Sequence, residues 1–380
     1  MNSWIEVSEE RLAGNYRAIA AAVGAETDVL AVVKANAYGH GAEVCSVTLA
    51  RAGARWFGVA DAREGVRVRR ALNAAGFAGA EILVMCGLMP EDVEAIAEHE
   101  LTPVVWTAEQ VGWLRGRAEL RAHVEVDTGM GRQGCRPGAV LDAVLDSIGS
   151  AGLVLAGVMT HFCAAEVAGS EKTREQRRRF EEAIAQIRRS ELRPQWVHAG
   201  SSSSVDNPAD ESAWLAEVAK SVGARAMVRC GIALYGYCLP IDGVGASSKL
   251  RSALKPVMTW KTRVLDVREV AAGETVGYNA TFTAPGPMRL ALLPVGYADG
   301  LRRELSATNA RPGGWVVIGE KRAAIVGRVS MNLTMVDVTG IEGVRVGDEV
   351  VVLGDGVTAD DHARVAGTIS YEILCDAGKL

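Results

Sequence analysis

Ten consecutive residues, Val32-Val33-Lys34-Ala35-Asn36-Ala37-Tyr38-Gly39-His40-Gly41, place a lysine where an apolar run ends and a glycine-containing stretch begins. An amine at such a point can aim away from a strand end and form a Schiff base with a carbonyl, or it can lie along the surface and solvate the strand end. Position alone leaves both uses of Lys34 open. Further polar groups follow other apolar runs: residues 127–132, His161, residues 198–204 and residues 229–232. Among these, the serine run 201–204 offers hydroxyls, and Gly231-Ile232 is expected to open a short helical turn with free backbone amides. Together they make a recurring kind of phosphate site. A phosphorylated cofactor would fit there, although the serine run by itself also reads as an ordinary polar loop. His161 and His198 are candidates for the same site, or core histidines satisfied by backbone carbonyls. No HxH, HExxH or CxxC spacing occurs, and no metal site is expected.

These groups can act together only if the elements that carry them converge. Between residues 29 and 230, β-branched runs at 29–33, 56–60, 81–85, 101–105, 122–126, 153–160, 195–198 and 226–229 alternate with helical patterns. Eight βα units in that length predict a closed parallel (β/α)8 barrel, whose functional rim lies at the C-terminal ends of the strands. Each polar group above falls at such an end. An open doubly wound sheet is the competing fold. Beyond residue 245 the pattern changes to strands without long intervening helices, at 257–270, 288–295, 314–318, 321–326, 335–338 and 349–353, punctuated by glycine and proline. The expectation is an α/β chain of two domains: a barrel over 1–244, whose first few residues are free to pack with the other domain, and a mainly β domain over 245–380. Residues 243–248 read as the linker.

Composition removes several function classes. The chain has 380 residues, 49% of them hydrophobic, and a formal charge of -5 from 41 basic and 46 acidic residues spread along its length. That balance suits no nucleic-acid partner. The densest basic run, Arg174 with Arg177, Arg178 and Arg179, is interleaved with glutamates and reads as a solvated helix face. No apolar run nears the roughly 18 residues that span a bilayer, so no membrane role is expected. The first ten residues lack a basic region followed by an apolar one, so the chain is expected to stay in the cytoplasm. Seven cysteines without a CxxC pair read as reduced thiols.

Read as whole motifs, the chain resembles the alanine racemases over nearly its full length. The segments that carry the resemblance are VVKANAYGHG at 32–41, VDTGMGRQG at 126–134, THF at 160–162 and RCGIALYG at 229–236, followed by VGYNATF at 276–282, LPVGYADG at 293–300, VGRVSMN at 326–332 and TISYEI at 368–373. The resemblance implies a pyridoxal 5'-phosphate-binding barrel joined to a C-terminal β domain. It also implies a homodimer whose active sites are shared between subunits and act on a small amino acid. Lys34 would then carry the cofactor and act as one catalytic base, and Tyr278, supplied by the partner subunit, as the other. Two bases on opposite faces of an α-carbon invert its configuration. Tyr38, Ser202, Gly231, Ile232 and Tyr371 match phosphate-holding positions, and His161 and His198 lie with the cofactor, His161 also being implied to polarise Tyr278. Arg229 matches the partner of the pyridine nitrogen. Arg132, Met331 and Asn332 match the substrate-carboxylate positions. The implied role is supply of D-alanine for peptidoglycan.

Two departures bear on this reading. Many relatives carry a carbamylated lysine that fixes the arginine of the DTGMGR segment; here the residue is Glu125. Its carboxylate is expected to replace the carbamate through a charge-assisted hydrogen bond to Arg132. Asn332 stands where aspartate is frequent, which keeps a broad-specificity racemase as an alternative. A decarboxylase of the same superfamily would typically pair the ring nitrogen with a carboxylate, and Arg229 speaks against it. A non-catalytic carrier of pyridoxal phosphate generally lacks the β domain, and Tyr278 speaks against that.

Overall fold

Strands that are buried on both faces need no polar-apolar alternation, which is why the barrel runs read as nearly continuous hydrophobic stretches. In the computed structural model, which describes residues 3–117, 120–207, 211–243 and 247–379, Trp56–Val59 and Thr102–Val105 are buried at every position. The chain forms two compact units, one of Glu10–Ala37 with Ala42–Lys255, the other of the segment through Glu9, Tyr38–Gly41 and the chain from Pro256 onward. The expected domain junction at 244/245 lies outside the described residues.

In the first unit the strands Thr27–Val32, Trp56–Val59, Glu81–Val84, Thr102–Val105, Arg121–Glu125, Val154–Met159, Trp196–His198 and Arg225–Cys230 form a closed parallel barrel. They correspond to the eight expected runs, with ends displaced by a residue or so. Closure is made by the first and eighth strands, in register from Thr27↔Ala226 to Ala31↔Cys230, so the open-sheet alternative does not apply. Side chains fill the interior. Gly157 leaves room for the His123 ring, since a Cβ there would lie 2.5 Å from it. Trp56 packs on His123 and Trp196 with ring centroids 5.4 and 4.8 Å apart. Helix starts are capped from the sequence: Asp61 accepts from Glu64 N before Ala62–Ala74, and Thr107 accepts from Gln110 N before Ala108–Trp113. The basic run lies on Glu171–Arg189, where Phe180, Ala183, Ile184 and Ile187 are buried and Glu175 pairs with Lys172 and Arg179.

The second unit is an antiparallel eight-stranded sheet. Its order is Ser3–Val7, Met258–Arg263, Glu349–Leu353, Trp315–Ile318, Lys321–Val326, Thr334–Asp337, Met288–Leu293 and Asp266–Val270. The N-terminal strand pairs with Met258–Arg263, from Ser3↔Thr262 to Val7↔Met258. One expectation is corrected: 257–270 is not a single strand. Val264 donates to Asp348 O and Leu265 to Leu292 O, so the chain breaks there and passes from one side of the sheet to the far edge. Thr275–Val276 and Phe282–Thr283 form a separate ribbon, and Ala359–Ala366 and Ser370–Ala377 are helices. Val276, Ala284, Met288, Leu290 and Val326 make an apolar cluster beneath the ribbon. Among the described residues no helix is long and apolar enough to cross a membrane.

Candidate active site

Lys34 follows the first barrel strand and opens a turn, Lys34–Tyr38, wound the wrong way for L-residues: φ/ψ are 53°/50° at Ala35, 53°/45° at Asn36 and 55°/49° at Ala37, with φ 53° at Tyr38. Each such residue costs about 1–2 kcal/mol relative to the right-handed form, and backbone strain of this kind concentrates at functional positions. Local hydrogen bonds hold it. Ala37 N donates to Val33 O at 2.8 Å, Ala42 N to Asn36 Oδ1 at 3.0 Å, and Asn36 N to Glu64 Oε1 at 3.1 Å, while Ala60 N donates to the other Glu64 oxygen at 2.9 Å. The alanines gave no sequence signal for this conformation.

Arg229, near the end of the eighth strand, is buried and donates in three directions: Nη2 to Thr160 O at 2.7 Å and to His161 Nδ1 at 3.1 Å, and Nη1 to His198 Nδ1 at 3.4 Å. A guanidinium only donates, so the imidazole nitrogens that face it must accept. His198 then carries its hydrogen on Nε2 and donates it in a hydrogen bond to His123 Nδ1 at 2.8 Å. Burial drives His123 and His161 down to about 3, and the Arg229 charge adds to the shift in both. Burial, His123 and Arg229 likewise put His198 well below its ordinary value. Arg229 is lowered by burial to about 10 and still carries its charge at neutral pH. Neither His161 nor His198 is thus a core histidine satisfied by backbone. His123 was not foreseen, though its place two residues before Glu125 on one strand points both side chains to the same face.

Ser202 begins the helix Ser202–Asp206, and its Oγ accepts from Gly231 N at 3.1 Å and Ala233 N at 3.2 Å. This corrects the expectation of free amides in the turn Ile232–Tyr235: those of Gly231 and Ala233 are used within the protein. The consequence is that the Ser202 hydroxyl hydrogen is left to point elsewhere. Ser203 is committed to Glu166 at 2.9 Å, and Ser204 accepts from Ser201 N at 3.2 Å. The turn is fixed from behind by Asn15 Nδ2, which donates to Leu234 O at 2.9 Å, and by Tyr235 OH, which donates to Val32 O at 3.0 Å. That last bond ties the phosphate-type turn to the strand leading to Lys34.

The expected bond from Arg132 to Glu125 is replaced by another. Glu125 is 2% exposed and accepts from Gln133 Nε2, whose other hydrogen bond runs to Met85 O at 3.0 Å. Arg132 is exposed and acts on Glu125 through its charge. Gln133 is the neighbour able to reach inward from a loop whose ends are closed on the Glu125 backbone, with Cys135 N donating to Glu125 O at 2.9 Å.

In the second unit the motifs of the β domain interlock. Tyr278, 64% exposed, sits in the ribbon turn beside Asn279 and Ala280, both with positive φ (61° and 47°). A Cβ on Gly296 would lie 2.2 Å from Ser330 O, so only glycine allows the segment 296–299 to meet 330–332. There Tyr297 N donates to Ser330 O at 3.0 Å and Ala298 N to Met331 O at 2.8 Å. Asn332 Nδ2 lies 3.1 and 3.2 Å from the two oxygens of Asp299, a residue not singled out beforehand although it sits inside a quoted motif. Met331 is 56% exposed. Tyr38 packs on Tyr371 with ring centroids 5.8 Å apart.

Comparison with known proteins agrees with this geometry. The family model "Alanine racemase, N-terminal domain" matches residues 7–239, and "Alanine racemase, C-terminal domain" matches 257–380. Curated relatives named alanine racemase include that of Symbiobacterium thermophilum, 36% identical over 98% of this chain and 94% of its own, and that of Halothermothrix orenii, 34% identical with the same coverage. Among solved structures, the alanine racemase of Bacillus anthracis with bound L-Ala-P superposes with a TM-score of 0.83 at 29% identity, covering 99% of this chain and 92% of that one. The alanine racemase of Bartonella henselae with covalently bound pyridoxal phosphate gives 0.82 at 26% identity, covering 99% and 97%. The chain therefore belongs to the alanine racemase family and is a pyridoxal-phosphate-dependent racemase.

Proposed function

We propose that the protein interconverts L- and D-alanine with Lys34 and Tyr278 as its two bases, working as a homodimer in the cytoplasm and supplying D-alanine for peptidoglycan. The observation that carries the reading is the setting of Arg229, whose guanidinium is hydrogen-bonded to two neutral imidazoles and a carbonyl. A pyridine nitrogen facing that guanidinium accepts a hydrogen bond but takes no proton. Bound pyridoxal phosphate supplies the electron-withdrawing ring that acidifies the substrate's α-hydrogen. Limiting that withdrawal would disfavour side reactions such as transamination, which suits inversion.

The residues fit such a group. Ser202, its lone pairs engaged by two amides, has its hydroxyl hydrogen to give to a phosphate oxygen. Gly231, Ile232, Tyr38 and Tyr371 are the further phosphate-holding candidates. His161 and His198 keep Arg229 oriented. Lys34 moves the α-proton on one face and Tyr278 of the partner subunit on the other, while Arg132, Met331 and Asn332 bind the substrate carboxylate. The exposure of Tyr278 and Met331 supports completion of the site by a second copy. The Asn332 side chain is oriented by its amide, which donates to the Asp299 carboxylate.

Chiral chromatography of the cofactor-loaded protein after separate incubation with L-alanine, L-serine, L-lysine and L-arginine tests the proposal. Strong D-alanine formation with little turnover of the others is expected. Comparable turnover of the larger substrates would move the reading to a broad-specificity racemase, and no turnover at all to a carrier.

A further inference from the structure

Arg132 lies on the loop between Arg121–Glu125 and Ala139–Ala151, and the structure shows what holds that loop. At its apex Asp127 Oδ1 accepts from the amides of Gly129, Met130 and Gly131 at 2.9, 3.0 and 3.1 Å. Thr128 O accepts from Arg179 Nη1 at 3.2 Å. At its base Asp127 N donates to Cys135 O at 2.9 Å and Cys135 N to Glu125 O at 2.9 Å. Between apex and base the chain turns Gln133 inward, where both amide hydrogens are used, one on the Glu125 carboxylate and one on Met85 O at the end of the third barrel strand. Gln133 is the residue next to Arg132, so its anchorage limits where the arginine's backbone can go.

We propose that Glu125 and Gln133 form a positioning pair for Arg132: the buried carboxylate draws Gln133 into the barrel mouth and thereby fixes the adjacent arginine where it meets the substrate carboxylate. This rests on the reading of Arg132 as a substrate-binding residue. A glutamate on the barrel strand thus acts on the arginine through a third side chain. The groups that bear on Glu125 are Arg229 from the eighth strand, and Arg132, Asp127 and Cys135 from its own loop. Burial pushes its carboxyl up, while the Gln133 bond and the two arginine charges pull it back down. The pair is therefore strongest with Glu125 ionised, and it weakens as pH falls through the raised carboxyl value. Gln133→Leu severs the link between Glu125 and Arg132, so the pH dependence that Glu125 imposes on the arginine disappears with it.

The test is steady-state racemisation of L-alanine by the holoenzyme between pH 5 and 9, with cofactor affinity measured in parallel. Gln133→Leu is expected to raise KM about threefold to tenfold with cofactor affinity unchanged, and to remove the acid limb of kcat/KM that Glu125 imposes. Glu125→Gln holds Gln133 by a neutral oxygen, as the protonated carboxyl would, and is expected to raise KM about threefold at neutral pH while losing that acid limb. In an Arg132→Ala background, Gln133→Leu should add no further rise in KM. An unchanged KM in Gln133→Leu, an equal rise in the Arg132→Ala background, or an acid limb unaltered in Glu125→Gln would each overturn the proposal. A native enzyme that turns over no L-alanine would instead overturn the functional reading beneath it. Should Gln133→Leu fail to fold, Glu125→Gln decides alone through its pH profile.

Discussion

The most exacting prediction concerns acid. His123 and His198 are both fully buried and neutral, hydrogen-bonded to each other beneath Arg229. An unfolded histidine titrates near pH 6.5, whereas burial holds His123 near 3 and His198 well below its ordinary value. Their stabilising contribution is complete above the unfolded value and is lost as pH falls, because the unfolded chain then binds protons that the native barrel refuses. At pH 5 the unfolded chain is favoured by about 2 kcal/mol through His123 alone, and His198 acts in the same direction. Against total stabilities of about 5–15 kcal/mol this is a large loss. Glu125 works in the opposite sense, its burial penalty being relieved by protonation, so the cleanest measurement is a difference. His123→Gln keeps an acceptor for His198 but cannot titrate. Urea unfolding of both proteins, followed by tryptophan fluorescence from pH 7 to 5, should show the native enzyme losing about 2 kcal/mol more than the variant. Parallel loss in the two, within about 0.5 kcal/mol, would refute the placement of His123 as a buried neutral group.

Two further outcomes follow from the site. Arg229→Glu removes the donor to His161 and His198 and, on the proposed placement, would put a carboxylate against the ring nitrogen. Racemisation should slow and transamination products should appear, measured by chiral chromatography with pyruvate analysis; normal racemisation would refute the role given to Arg229. Ser202→Ala leaves the Gly231 and Ala233 amides without their acceptor and removes the proposed phosphate donor. Cofactor affinity should fall about tenfold, about 1.4 kcal/mol, by equilibrium dialysis, and an unchanged Kd would place the phosphate elsewhere.

The sequence by itself determined the barrel and which polar residues stand at its strand ends, because strand ends in a parallel barrel are locally readable. The runs that became the eight strands needed only apolar content and punctuation to be found, and Lys34, His161, His198, Ser202 and Arg229 followed from standing at their ends. Motif resemblance added Tyr278, Met331 and Asn332, which no local pattern marks. What the sequence left undetermined are relations between side chains far apart in the chain. That Glu125 would take Gln133 rather than Arg132 depended on which of two neighbours on a closed loop turns inward. That the Gly231 amide would be spent on Ser202 depended on how closely the seventh and eighth strands bring their following turns together. The break in 257–270 had the same origin, its two halves being drawn to different partner strands by pairing that apolar content cannot express. Tertiary structure alone decided the tautomers of His198 and His123, because they are set by an arginine that can only donate, 31 residues from the nearer of the two.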